Sequence, residues 1–139
     1  MAPGDTSVKL LKSLFETKTV PEFIKYGDEI AKDGYRSMTV NLVLGDTEGN
    51  IGYVLGAAHP IRKDKTPYIG CRVLDGETTE FDWEEGLLPL SDLPRSLNPS
   101  KGYLMTANNR QSPENALNDY GATIMSTGRA QRLDELIRN

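Results

Sequence analysis

Few side chains of this chain are candidates for a catalytic role. Two of them, Asn108 and Arg129, lie in its last third. Asn108 begins a polar Asn-Asn-Arg turn after an apolar segment, 103–107, that we predict to be a short strand. An asparagine amide at a strand end can donate an N–H to a developing oxyanion, and one such donor is typically worth about 3–4 kcal/mol. The structural alternative is that Asn108 and Asn109 simply form an Asx turn.

Arg129 lies in a predicted C-terminal helix that covers about 126–137. Leu133 and Leu136 follow it by four and seven residues, which places Arg129 on their apolar face. A charged side chain on a face that packs on a core needs a buried partner or a polar cavity. If Arg129 is buried in this way, Arg129→Leu should reduce stability, because its polar partners would be left unsatisfied. The alternative is that Arg129, near the first helical turn, extends its charged end into solvent.

Other kinds of site receive little support from the sequence. The single histidine, His59, precedes a proline and is predicted to be a surface or turn residue. The single cysteine, Cys71, has no partner for a disulfide or a zinc site and is predicted to be a small, buried or half-buried residue. The net charge of -4 comes from interspersed signs without a basic stripe, so the sequence does not support nucleic-acid binding. No apolar run of about 20 residues predicts a membrane span.

Two helices are predicted at the start of the chain. The first covers 6–17. Its apolar residues at helical spacing, predicted to face the core, are Val8, Leu11, Leu14 and Phe15. The second begins at Thr19, where Glu22 three residues later completes a capping-box pattern, and Gly34 is its predicted stop.

A hairpin is predicted next, with strands over 38–44 and 51–57 joined by the turn 45–50, whose Gly, Asp and Asn residues tolerate positive φ. Both of its faces carry apolar residues, and a two-stranded hairpin cannot bury two faces alone, so partner strands are expected to lie outside this chain. Residues 58–100 contain five X-Pro steps and are predicted to be mostly irregular, with Trp83 as an anchor against a core.

Composition suggests that this chain depends on a larger core. Its 139 residues include 13 Gly and 8 Pro, and 37% are hydrophobic. Globular domains usually reach roughly 45–50% on a count that includes glycine. The alternative is a small, loop-rich monomer.

Four segments, taken in order, resemble one family. They are GDTEGNIGYVLGAAHPIRK (45–63), PYIG (67–70), FDWEEGLLPLSDLPRSLNPSKGYLMTANNR (81–110) and STGRAQRLDELI (126–137). Together they look like the penicillin acylase (penicillin amidase) family of N-terminal-nucleophile hydrolases. The resemblance implies an α+β chain that forms one partial domain over 1–139, an interior fragment of the large chain and part of a four-layer αββα fold.

The resemblance also implies a reaction. In such enzymes a serine at a newly formed N-terminus attacks an amide carbonyl, and its own α-amino group acts as general base. The acyl-enzyme is then hydrolysed by water. By this resemblance Asn108 aligns with the side-chain oxyanion donor and Arg129 with an arginine near the active site. The resemblance therefore implies that Arg129 points toward the Asn108 turn, and that Arg129→Leu reduces activity as well as stability. The start of this chain does not resemble the processed serine, so we expect the chain alone to be inactive.

The expected partners are a small acyl-amide substrate in the parent enzyme and the remainder of the acylase chain or chains, without nucleic acid or membrane. No cofactor is expected here. Calcium is possible in a full-length parent, where Asp119 aligns with one acidic ligand, although a lone surface aspartate is the alternative. A competing function is a non-catalytic binding or assembly module derived from the same fold.

Overall fold

The computed structural model describes residues 6–32, 39–64, 72–111 and 128–139. Within these ranges the chain forms three α-helices, five short β-strands and a 3₁₀ turn at Leu90–Asp92. In chain order the elements are α1 (Ser7–Glu16), α2 (Val20–Ile30), β1 (Val40–Gly45), β2 (Ile51–Gly56), β3 (Pro60–Arg62), β4 (Trp83–Leu87), β5 (Arg95–Leu97) and α3 (Gly128–Arg138). This mixture of helices and sheets confirms the predicted α+β class.

The chain divides into two compact units. The first contains Met1–Pro60 and Gly86–Leu104, and the second contains Ile61–Glu85 and Met105–Asn139. Helices α1 and α2 and the sheet β1-β2-β5 belong to the first unit, whereas α3 belongs to the second. The assignment of 1–139 to a single partial domain stays a prediction. No helix within the described ranges is long and apolar enough to cross a membrane.

The predicted hairpin is confirmed as β1 and β2, which pair antiparallel with Leu42 opposite Val54. In its turn Gly49 adopts a φ of 88°, which glycine reaches without strain. A partner strand lies within the chain itself, since β5 pairs antiparallel with β2. The prediction that 58–100 is mostly irregular is confirmed for the described part of that range, in which β3, β4 and β5 are short exceptions. Such short strands beside prolines show no alternation that a sequence pattern could reveal.

Helix α2 positions the sheet. The Thr19 side chain accepts from the Glu22 backbone N–H, and the Glu22 side chain accepts from the backbone N–H of Thr19, which confirms the capping box. The helix ends at Ile30, before the predicted stop at Gly34, which lies outside the described residues. Its buried residues, Val20, Phe23 and Gly27, form the face that packs within the first unit.

Helix α1 turns a different face inward from the predicted one. Val8 and Phe15 are 72% and 90% exposed, whereas Leu10 and Ser13 are fully buried. The Ser13 hydroxyl donates to the Leu10 carbonyl at 2.5 Å, which satisfies a polar group that would otherwise be costly to bury. A Cβ added to Gly27 would lie 3.3 Å from Leu10 Cδ1, so the missing side chain of Gly27 allows Leu10 of α1 to pack closely against α2.

The prediction for Trp83 was wrong, and the prediction for His59 was wrong in part, since His59 lies in the loop between β2 and β3. Trp83 is 62% exposed and does not anchor the irregular stretch, although the Arg62 guanidinium lies 5.9 Å from the centre of its ring. His59 is buried rather than on the surface. Its carbonyl accepts from the Leu88 backbone N–H at 2.9 Å, which ties the end of the hairpin to the segment before β5.

Candidate functional site

The Asn108 turn lies in the second unit and differs from its prediction in one respect. Residues 103–106 form neither a helix nor a strand, so Asn108 does not end a strand. Asn108 is exposed and adopts a φ of 60°. Asparagine tolerates this left-handed conformation better than most residues, and such positions are frequent at functional sites.

The second asparagine of the pair makes the local turn contacts. The Asn109 side-chain oxygen accepts from the Ala107 backbone N–H at 3.0 Å, and its amide nitrogen donates to the Arg110 carbonyl at 3.2 Å. Gln111 donates to the same side-chain oxygen. These contacts are local but are not an Asx turn, since the Asn109 side-chain oxygen accepts from a residue before it and not from the backbone N–H two residues on. The side chain of Asn108 takes no part in them.

The structure brings Asn108 and Arg129 together. Arg129 Nη1 donates to Asn108 Oδ1 at 3.2 Å across 21 residues of sequence. Because a guanidinium has donors and no acceptor, this contact fixes which end of the Asn108 amide faces Arg129. The amide nitrogen, Asn108 Nδ2, is directed away and keeps its two N–H groups for another acceptor.

The reason given for this contact was wrong, however. Arg129 lies on the same side of α3 as Leu133 and Leu136, but these leucines are 39% and 57% exposed, and Arg129 itself is exposed. Its charge is therefore not held in a core. The boundaries of α3, Gly128–Arg138, agree with the predicted helix within the described residues.

A second polar cluster, in the first unit, centres on Asp46. Its carboxylate accepts from the backbone N–H groups of Val20, Glu48 and Asn50 at 2.9 Å each, and from the Asn50 side-chain amide at 2.8 Å. These hydrogen bonds, led by the one from Val20, lower the pKa of Asp46 to about 2. A carboxylate held so firmly in its charged form is a poor proton donor or acceptor near neutral pH, so this cluster is structural.

A cavity of about 250 Å³ lies beside this cluster and was not predicted from the sequence. Its apolar lining consists of Leu14, Val20, Phe23 and Leu44. A shallower groove of about 370 Å³ lies between α1 and α2 and is lined mostly by charged side chains. Both belong to the first unit, and neither includes Asn108 or Arg129.

Two of the predicted candidates, Cys71 and Asp119, lie outside the described residues. Within the described ranges, no group of three or more His, Cys, Asp and Glu side chains is placed to hold a metal ion.

Comparison with known proteins gives consistent matches. The sequence profile of the penicillin amidase family matches residues 3–139. Penicillin G acylase of Escherichia coli is 33% identical over 107 residues, which cover 74% of this chain and 12% of that protein. Penicillin acylase 2 proenzyme of Pseudomonas sp. (strain SE83) is 34% identical over 80 residues, which cover 58% of this chain and 10% of that protein.

A solved structure agrees with these matches. Thermostable penicillin G acylase from Alcaligenes faecalis superimposes with a TM-score of 0.70 and 24% identity, and the match covers 96% of this chain and 22% of that one. The fold is therefore shared, while the chain spans only a small part of each relative's length. With the family profile matched over nearly every residue, the chain belongs to the penicillin amidase family.

Proposed function

We propose that this chain is part of an amide hydrolase of the acylase type, and that Asn108 donates to the oxyanion formed when an N-acyl amide is attacked. The observation that carries the proposal is the hydrogen bond from Arg129 Nη1 to Asn108 Oδ1 at 3.2 Å. It accompanies a left-handed backbone at Asn108 and a neighbour, Asn109, that makes the turn contacts.

The contact supports this role through orientation and charge. A side-chain amide rotates between two orientations, and only one of them presents N–H groups to a substrate oxygen. Arg129 selects that orientation, because its guanidinium can only donate. A cationic donor on Oδ1 also polarises the amide, which makes its N–H groups stronger donors toward developing negative charge.

The remaining parts of the reaction belong to polypeptide beyond these 139 residues. We propose that a serine there attacks the acyl carbonyl, with its own α-amino group as general base, and that water hydrolyses the acyl-enzyme. Asn108 stabilises the tetrahedral intermediates of both steps, and Arg129 acts as a positioning residue through Asn108. The same proposal places this chain within a four-layer αββα fold.

The test is a comparison of variants in the intact parent enzyme. Asn108→Ala lowers kcat by roughly 10²–10³ with the fold retained, since that is the usual effect of losing one donor. Asn108→Asp is the matched control for positioning, because it keeps an oxygen for Arg129 but loses the N–H groups, and it loses as much kcat. If Asn108→Asp retains the parental kcat, donation by this residue is refuted.

Substitutions of Arg129 in the same enzyme are expected to change kcat, KM and stability differently from those of Asn108. Because the pair is exposed, Arg129→Leu leaves Asn108 Oδ1 to water, so the expected stability loss is small, contrary to the expectation from the sequence. We expect kcat to fall while KM changes little. Arg129→Lys restores only part of kcat, because an ammonium lacks the planar fork. Arg132→Leu is the control, since Arg132 pairs with Glu135 along the helix. An equal fall in kcat for Arg132→Leu would contradict the assignment.

The 139-residue chain alone provides a further check. It supplies one oxyanion donor and its positioning arginine, which give no covalent route to hydrolysis without a nucleophile. Purified chain should therefore release no chromophore from a phenylacetyl anilide above a buffer blank. Turnover that survives repurification and disappears in Asn108→Ala would show that a nucleophile lies within these residues.

A further inference from the structure

The turn that presents Asn108 holds its backbone in a conformation that few residues adopt. The φ of Asn108 is 60°, in the left-handed region. Asparagine tolerates this region better than most residues, but the conformation still costs free energy and persists only where surrounding contacts enforce it. The contacts made by the residues on either side of Asn108 therefore decide whether it keeps this backbone.

The side chain of Asn109 makes contacts on both sides of Asn108. Its oxygen, Oδ1, accepts from the Ala107 backbone N–H at 3.0 Å, and its nitrogen, Nδ2, donates to the Arg110 carbonyl at 3.2 Å. One amide thus joins the residue before Asn108 to the second residue after it, and these two hydrogen bonds are called the Asn109 bridge below. Ala107 is 3% exposed, so the bridge attaches the exposed Asn108 to a buried residue.

Three groups determine the orientation of the Asn109 amide. A backbone N–H can only donate and a carbonyl can only accept, so Ala107 and Arg110 together select one of the two amide orientations. Gln111 supports the same orientation, because its Nε2 donates to Asn109 Oδ1 at 3.2 Å and to the Asn109 carbonyl at 3.5 Å. Asn109 and Gln111 are both half-buried, which limits competition from water.

Asn108 is therefore held at two different places. The hydrogen bond from Arg129 acts on the end of the Asn108 side chain and determines which end of its amide faces the guanidinium. The Asn109 bridge acts on the backbone from which that side chain starts. Because the allowed directions of a side chain depend on the φ and ψ of its own residue, a change in this backbone would move Asn108 Nδ2.

We propose that Asn109 is a positioning residue for the reaction. Its side chain holds Asn108 in the left-handed conformation that directs Asn108 Nδ2 toward the oxyanion, and Gln111 in turn holds Asn109. This inference rests on the proposed function. A displacement of about 1 Å in a reacting group can lower a rate by roughly 10²-fold, so loss of the Asn109 bridge lowers kcat although Asn109 itself does not touch the substrate.

The experiment is a double-mutant cycle in the intact parent enzyme, with kcat, KM and Tm measured for each variant. Asn109→Ala alone is expected to lower kcat by roughly 10–100-fold and to change KM by less than about twofold. In an enzyme that already carries Asn108→Ala, the same change should lower kcat by less than about twofold, because no donor is left to position. An equal fall in both backgrounds would show that Asn109 acts independently of Asn108 and would overturn the proposal.

Asn50 provides a matched control in the first unit. Its Oδ1 accepts from the side chain of Asn98, which is also left-handed with a φ of 46°, and its Nδ2 donates to Asp46. Asn50→Ala removes a comparable side-chain bridge, so it should lower Tm and leave kcat unchanged. If Asn109→Ala likewise lowers Tm and leaves kcat unchanged, its role is purely structural and the proposal is overturned.

Gln111→Ala tests the order of the two residues. Because both hydrogen bonds of the Asn109 bridge remain in this variant, kcat should fall less than in Asn109→Ala. A fall as large as that of Asn109→Ala would assign the positioning to Gln111 and contradict the assignment to Asn109.

Hydrogen exchange of the same variants provides a measurement that needs no activity. Asn109→Ala should speed exchange in a peptide that covers 105–111, since the Ala107 N–H loses its acceptor, and should leave exchange of the β1-β2 hairpin unchanged. Faster exchange in a parent enzyme without amidase activity retains the Asn109 bridge and removes the proposed function. Normal dependence of kcat on Asn108, with exchange and kcat unchanged in Asn109→Ala, retains the function and overturns the positioning role.

Discussion

Gly52 in β2 lies against the first residue of α2, and an alanine there has no room. A Cβ built on Gly52 would lie 2.3 Å from Val20 Cγ1, and 3.7 Å from both Ile24 Cδ1 and the Ser96 carbonyl oxygen. Carbon atoms pack best at about 3.5–4.0 Å, so the contact with Val20 is too close by roughly 1.2 Å. Val20 is 3% exposed and β-branched, and therefore cannot rotate out of the way cheaply.

Two opposing effects set the expected stability of Gly52→Ala. Replacing glycine reduces the freedom of the unfolded chain, which stabilises by about 0.4–1 kcal/mol where the native backbone suits alanine. Overpacking a tight core costs typically 1–3 kcal/mol. We expect overpacking to dominate, with a net loss of about 1–2 kcal/mol. The free energy of unfolding would be measured by urea denaturation of the chain, and the slope with urea should stay unchanged.

Two companion variants make the test specific. Gly45→Ala in β1 is the control, because the atom nearest to its added Cβ is the Asn50 carbonyl oxygen at 3.9 Å. Val20→Ala removes the clashing methyl group, so Gly52→Ala combined with Val20→Ala should lose at least about 1 kcal/mol less than the sum of the single variants. If Gly52→Ala is as stable as Gly45→Ala, or if the two losses simply add, the close approach of β2 and α2 is refuted.

Two other predictions concern pH. Since hydrogen bonds hold the pKa of Asp46 near 2, below its ordinary value of 3.8, its stabilising effect is present above about pH 4 and lost as pH falls toward 2. Asp46→Asn should be less stable than the parent chain at pH 7 and should lose less on acidification, and parallel acid-unfolding curves would contradict this. Burial raises the pKa of Tyr53 to about 12, so the folded state favours the protonated phenol, and stability should fall by roughly 2–3 kcal/mol between about pH 10 and 12. Tyr53→Phe should remove that fall and cost about 1 kcal/mol at pH 7 through the lost hydrogen bond to Asn41, and an unchanged alkaline profile in circular dichroism would contradict it.

Sequence spacing was sufficient where the determining contacts are local. The capping box that starts α2 involves Thr19 and Glu22, three residues apart, and its hydrogen bonds form as soon as the helix does. The hairpin likewise followed from two apolar runs and a turn containing Gly49. The helix that carries Arg129 was predicted from its periodicity. Each of these features depends on residues that are close in sequence, so its pattern can be read without the rest of the chain.

Tertiary structure decided what each element faces. Helix α1 carries apolar residues on two sides, and its periodicity favoured Val8 and Phe15, yet Leu10 and Ser13 are buried, and Leu10 meets α2 at Gly27. Strand β5 exists because three residues pair with β2, and Asn98, with a φ of 46°, accepts from the Ile51 backbone N–H across 47 residues. No local preference encodes such a contact.

The candidate site also depended partly on local sequence and partly on tertiary contacts. The sequence identified both members of the pair by residue type and resemblance, but the reason it gave for Arg129, a buried charge, was wrong. Asn108 and Arg129 are 21 residues apart, so local spacing could not show that their side chains meet. Only the structure shows the exposed hydrogen bond of 3.2 Å between them. Helical periodicity places a side chain on a face of its own helix, whereas packing of the whole chain determines what covers that face.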